Sequence, residues 1–226
     1  MIWIGISALG LALGVLLAYV IDRQLHESAT PRPPSGLAWV PLAGSLARRD
    51  WVRLLAELLT VAMTLILWRQ YGVSGRFWLL LAAALVLIDT AAIDWRVKLI
   101  DTLVMIAATI VVLLGAPLIT GSWLISLLGM LAAGGLFLMF FVVARVLYPG
   151  QAAPFGLGDV YLGMFIGALL GLFDVGPALL YGMLMAGAAS IALIAVRGYA
   201  RARHVPISYG TFLCLGALLY LALWPL

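Results

Sequence analysis

The chain has 226 residues, is 65% hydrophobic and only 10% charged, and carries a formal net charge of +4. That balance is far too apolar for a soluble globular domain. It excludes reading the basic excess as a nucleic-acid footprint, because the basic residues sort by predicted membrane side, as shown below. A spanning helix needs roughly 20 mostly apolar residues, and the sequence predicts an all-α, polytopic membrane protein with about eight transmembrane helices. They fall near 2–21, 52–69, 77–93, 100–118, 123–147, 158–173, 176–196 and 207–224, in one membrane-embedded domain over 1–226.

The first run has no charge before Asp22. It lacks the basic start of a secretory signal and reads as a retained helix. The only long polar segment follows, 22–51, "DRQLHESATPRPPSGLAWVPLAGSLARRDW". Pro31, Pro33, Pro34 and Pro41 exclude a continuous helix across it, and its length exceeds what joining two helices requires. Leu37 and Trp39 are expected to lay it on the membrane surface. Asp22, Glu27 and Asp50 read as solvated loop charges or helix caps. Glu57 lies about one turn into the second helix, four residues from Arg53 on the same face, and is expected to pair with it.

The third run ends in "LIDTAAIDWRVKLID". Asp89 precedes Asp94 by five residues, roughly 140° round the helix, so the two do not share a face. Asp159 opens the sixth run in "PFGLGDVYLGMFIGALLG", after a turn containing Gly156 and Gly158. Asp174, in "DVGP", reads as a cap before Pro177, a good first-turn residue.

Placing the N-terminus outside puts Arg23, Arg32, Arg48, Arg49, Arg53, Arg96, Lys98, Arg145, Arg197, Arg201 and Arg203 in inside segments. Only Arg69 and Arg76 fall outside. The asymmetry predicts an N-out, C-out chain and puts Asp94 and Asp159 at the same, cytoplasmic boundary. Cys214 is the only cysteine, so no intrachain disulfide and no cysteine metal cluster forms. His26 and His204 lack ligand spacing, and no metal site is predicted.

Two carboxylates at one depth can perform aspartic-protease chemistry. Like charges a few ångströms apart cannot both ionise easily, so the pair shares one proton. The ionised member takes a proton from water while the protonated member polarises the scissile carbonyl. Gly156 and Gly158 permit unusual backbone angles and close approach of another chain. Asp159 at a helix start and Asp94 at a helix end suggest an ionised Asp159 and a protonated Asp94. The plainer alternative makes Asp159 an N-cap and Asp94 a boundary charge paired with Arg96 or Lys98.

These pieces resemble the type IV prepilin peptidase family, membrane aspartic proteases of the Gly-x-Gly-Asp type. "AIDWRVKLI" resembles the family's first aspartate motif and "GLGDVYLGMFIGALLG" its second. "RLLAELLTVAMTLIL", with Glu57, looks like the segment entering the second helix, and "HVPISYGTFLCLGALL" is similar to the Ile-Pro-Phe-Gly-Pro-Phe segment before the last helix. "WVPLAGSLARRDW" looks like a worn form of the family's cytoplasmic loop. The resemblance runs in order from about residue 37 to the end. It implies a bacterial inner-membrane enzyme with a catalytic helical core over 77–226 and a reduced cytoplasmic segment over 22–51. Asp94 and Asp159 would be its catalytic residues and Gly156 and Gly158 its active-site turn. The implied substrate is a prepilin or pseudopilin, whose basic leader is cut off just before its hydrophobic helix.

Three departures accompany the resemblance. Loop 22–51 has no cysteine, so the zinc-holding Cys-x-x-Cys motifs of bifunctional members are missing. Those members also methylate the new N-terminus with S-adenosylmethionine; the shortened loop puts that activity in question, and proteolysis itself needs no cofactor. Asp101 stands where the family usually has proline, seven residues from Asp94 and near its helix face, where it would perturb the pair. Tyr161 stands where a lysine often follows Gly-Asp-Val. These departures motivate a second reading, a peptidase-like protein that binds pilins or assembly factors without cutting them. A third, a small transporter relaying through Asp89 and Glu57, expects carboxylates at mid-membrane depth and paired Gly/Pro breaks, and no matched pair is found.

Overall fold

A computed structural model describes residues 2–26, 45, 50–147, 156–198 and 208–226. Most of segment 22–51, including Glu27, Leu37 and Trp39, lies outside these residues, as does His204. Every regular element among the described residues is an α-helix. In chain order they are α1 (Ile2–His26), α2 (Trp51–Tyr71), α3 (Gly75–Val97), α4 (Thr102–Leu114), α5 (Ala116–Ile119), α6 (Trp123–Leu147), α7 (Leu157–Arg197) and α8 (Tyr209–Leu223). Five of them, α1, α2, α3, α6 and α7, are long and apolar enough to cross a membrane.

Local chemistry sets several ends. The carboxylate of Asp50 accepts the Arg53 N–H at 3.1 Å and starts α2. Ser74 does the same for Phe77 N–H at the start of α3. Lys98, in the left-handed region at φ 57°, ends α3. Asp101 then opens α4, its Oδ1 accepting Leu103 N–H at 2.9 Å and Val104 N–H at 3.3 Å. The side chains of Asp50, Ser74 and Asp101 each satisfy a backbone donor that the helix itself leaves free. The predicted run 100–118 is therefore two helices broken at Gly115.

The predicted helices 158–173 and 176–196 merge into α7, and the break falls at Gly171 (φ 78°, ψ 178°) rather than at the "DVGP" turn. Only glycine adopts that conformation without strain. The chain reverses there. Gly158 packs against Ile100, close to the C-terminal end of α3, whereas Gly171 packs against Thr120 and Ile125. Beyond Gly171, Tyr220 O–H donates to Asp174 at 2.5 Å, and Gly182 meets Leu213 further along α8. Thr211 of α8 in turn reaches Asp94. The second limb of α7 thus runs back towards Asp94. Asp174, expected to cap a helix before Pro177, has Tyr220 as its partner, and Pro177 lies inside the limb.

α3 is the most deeply buried of the long apolar helices. α2 and α8 flank it, and α1 packs on α2. α6 packs on the first limb of α7 backbone to backbone: a Cβ at Gly129 would fall 2.3 Å from Gly167 O, and one at Gly167 would fall 2.2 Å from Gly129 O. α8 crosses the second limb at Gly216 and Gly182 in the same way. Helices without a hydrophobic drive between them associate through such small-residue contacts.

Candidate active site

Asp94 sits in the last turn of α3 and is 6% exposed. Its Oδ2 accepts the backbone N–H of Thr211 at 2.7 Å and lies 3.0 Å from Thr211 Oγ1. Thr211 is the third residue of α8, where backbone donors lack intrahelical partners. Ser208, the residue before α8, makes no side-chain capping bond. Asp94 therefore caps α8 from another helix. The dipole contrast drawn from sequence does not hold: Asp94 belongs to the end of α3, but its carboxylate faces the start of α8.

Asp159 lies in the first turn of α7, and its Oδ2 accepts Gly156 N–H at 2.9 Å. Asp159 N–H donates back to Gly156 O at 3.2 Å. The N-cap position that the plainer alternative gave to Asp159 belongs to Gly156, and Asp159, the third residue of α7, closes back on the Gly156 N–H. Asp94 also acts electrostatically on Asp159, and Cys214, one turn into α8 beyond Gly210, lies within electrostatic reach of both. Ile100 joins the two halves. Its Cβ would be 2.8 Å from a Cβ on Gly158, and its Cδ1 would be 2.9 Å from one on Gly210, which would also meet Asp94 Oδ2 at 3.1 Å. So α3, α7 and α8 bring Asp94 and Asp159 to one end of the bundle, although 65 residues separate them in sequence.

The glycine turn works differently from the expectation. Gly156 is extended (φ −96°) and Gly158 is not among the positive-φ residues. Neither needs special backbone angles. Gly158 is required for the close approach of Ile100, whereas a Cβ on Gly156 would meet nothing nearer than 3.8 Å.

The other carboxylates have separate roles. Arg96 bonds to Asp50, and Lys98 bonds to the Ser208 hydroxyl with its Nζ 5.5 Å from the centre of the Trp95 ring. The alternative that pairs Asp94 with Arg96 does not hold. Lys98 contributes as a nearby cation, since its charge acts on Asp94. Asp101 does not continue the face of Asp94, because α3 ends between them and Asp101 caps α4. Glu57 accepts Arg53 Nε–H at 3.1 Å and Ser45 O–H at 2.7 Å, while Arg53 also pairs with Asp22 at 2.7 Å. The expected Glu57–Arg53 pair is present, in a buried network between α1 and α2. Asp89 is buried in α3, and its Oδ1 has no partner among the described residues. Tyr161 is half-buried and packs on the apolar core. Among the described residues no three His, Cys, Asp or Glu side chains gather in a metal-binding group.

A cavity of about 520 Å³ opens between α2, α3 and α8, lined by Trp51, Leu59, Ala91, Trp95, Thr211 and Phe212 among others. Among the described residues Thr211 supplies its only hydroxyl, and Thr211 also touches Asp94. Sequence reasoning passed over Thr211. The available signal was its place in "SYGTFL", three residues past a serine at a helix start, where free N–H groups await an acceptor. No protein-family model, curated protein or solved structure matches the chain.

Proposed function

We propose that the chain is a membrane aspartic endopeptidase that removes the leader of a prepilin or pseudopilin on the cytoplasmic face of a bacterial inner membrane. The observation that carries the reading is the convergence of Asp94 and Asp159 at one end of the bundle, with Asp94 acting on Asp159. Two carboxylates brought close enough to share a proton are the prerequisite for this chemistry. The ionised carboxylate removes a proton from water, and the resulting hydroxide adds to the scissile carbonyl carbon. The protonated carboxyl donates to the carbonyl oxygen. Collapse of the tetrahedral intermediate breaks the C–N bond; the departing amine takes the proton gained from water, and the re-forming carbonyl returns its proton to the carboxylate that had donated it.

The topology fits. The reading takes each limb of α7 as one crossing and α4 with α5 as another, which makes eight crossings, and places both termini outside. Asp94 lies 18 residues along α3 from Arg76, about 27 Å, close to the roughly 30 Å of a hydrocarbon core. At the Asp94 end lie Arg23, Arg53, Arg96, Lys98, Arg145 and Arg197, and at the other end Arg69 and Arg76. That charge asymmetry favours a cytoplasmic Asp94 end. Exposed apolar side chains such as Leu103, Val196 and Ile191 suit lipid.

The test is reconstitution with a candidate prepilin. Wild type releases the leader, and Asp94→Asn and Asp159→Asn each reduce release to background. Cleavage that persists in both variants ends the reading of Asp94 and Asp159 as an aspartic-protease pair, and a wild type that releases no leader leaves the non-cutting pilin-binding reading. The product's mass, with or without an added methyl group, decides separately whether S-adenosylmethionine is used.

A further inference from the structure

We propose that Thr211 is a positioning residue that satisfies Asp94 in either protonation state, a role that rests on the proteolytic reading above. Thr211 Oγ1 lies 3.0 Å from Asp94 Oδ2 and 3.1 Å from Ala91 O. A hydroxyl has one hydrogen and two acceptor lone pairs, so it serves one of these oxygens at a time. When Asp94 is ionised, the Thr211 O–H donates to Oδ2. When Oδ2 carries the proton, it donates to Oγ1, and the Thr211 hydrogen turns to the Ala91 carbonyl. Thr211 N–H donates to Oδ2 in both states. No heavy atom moves.

A carboxylate that gives and takes a proton in each turnover needs this adaptability. Asp94 and Thr211 are both buried, and a buried polar atom left unpaired in one state would bias the proton towards the other. The same geometry has a directional consequence. Oδ2 is occupied by Thr211, whereas Oδ1 takes part in none of these bonds. Among the described residues Oδ1 is therefore the oxygen left open to meet water, while a proton held on Oδ2 stays turned towards Thr211.

The test compares Thr211→Val, which keeps the shape and deletes the hydroxyl, with Thr211→Ser, which keeps the hydroxyl. For leader release, Thr211→Val should lower kcat by about tenfold or more with KM within about twofold of wild type, and Thr211→Ser should restore most of kcat. Thr211→Ala takes its place if Thr211→Val does not fold. Infrared difference spectra against Asp94→Asn identify the Asp94 carboxyl band. That band should shift in Thr211→Val and stay in place in Thr211→Ser. An unmoved band, or a wild-type kcat in Thr211→Val, overturns the proposal. A wild type that releases no leader overturns the proteolytic reading instead, and the infrared comparison still decides whether the hydroxyl serves Asp94.

Discussion

Replacing Gly167 by alanine puts a methyl carbon 2.2 Å from the backbone oxygen of Gly129. Ordinary contact begins near 3.4 Å, so α6 and the first limb of α7 must separate by about 1.2 Å (3.4 − 2.2). The obstacle is helix backbone, which cannot rotate away. Overpacking of this kind costs about 1–3 kcal/mol, partly offset by the roughly 0.5–1 kcal/mol that alanine gains over glycine inside a helix. Gly135, on the same α6, supplies the control, because a Cβ there meets nothing within 4 Å. Gly135→Ala should be neutral or slightly stabilising. Cys214 provides the assay: it is the only cysteine and fully buried, so a thiol-reactive fluorogenic dye reports unfolding on heating in detergent. Gly167→Ala should lower the midpoint by several degrees, at about 2–4 °C per kcal/mol for a chain of this size, and Gly135→Ala should not. Equal midpoints for the two variants would refute the backbone contact between α6 and α7.

Arg53→Met removes the guanidinium that Glu57 and Asp22 share; with Arg53 3% and Glu57 2% exposed, the loss should reach about 3–5 kcal/mol, read as a large drop in the same thermal midpoint. Asp101→Ala removes the cap of α4 and should cost about 1 kcal/mol, with leader release within about threefold of wild type; a loss like that of Asp94→Asn would restore Asp101 as a modulator of the catalytic pair. Tyr220→Phe deletes the bond to Asp174 and should lower the midpoint by an amount matching about 1–3 kcal/mol for a bond to a charged group, while leaving kcat intact because the pair lies at the far end of the bundle from Asp94. Gly171→Ala forces a side chain into a glycine-only conformation, about 1–3 kcal/mol, and its Cβ would fall 2.7 Å from Ile125 Cγ2. It should be among the least stable of the glycine variants, and a stable Gly171→Ala would show that the reversal lies elsewhere.

The helices were legible because apolar runs long enough to span lipid leave the backbone little alternative to satisfying itself within each segment. The run 123–147 is reproduced end for end in α6. The pairing of Glu57 with Arg53 was legible too, since four residues along a helix bring two side chains together. What depends on a single residue's dihedral angles was harder to read. The predicted break between 173 and 176 puts the reversal at "DVGP", but the chain turns at Gly171, where α6 presses on α7 and a positive φ is needed.

The sequence by itself determined an all-helical chain with long apolar runs, their order, and the positions of Asp94 and Asp159 near helix ends. Periodicity and composition are local properties, and they carry that much. Only the tertiary structure decided what each carboxylate faces. Asp94 meets Thr211, 117 residues away, rather than Arg96 two residues away, and Asp101 turns from a neighbour of the pair into a cap. Hydrogen bonds act over about 3 Å, and which groups come that close depends on how helices far apart in sequence cross.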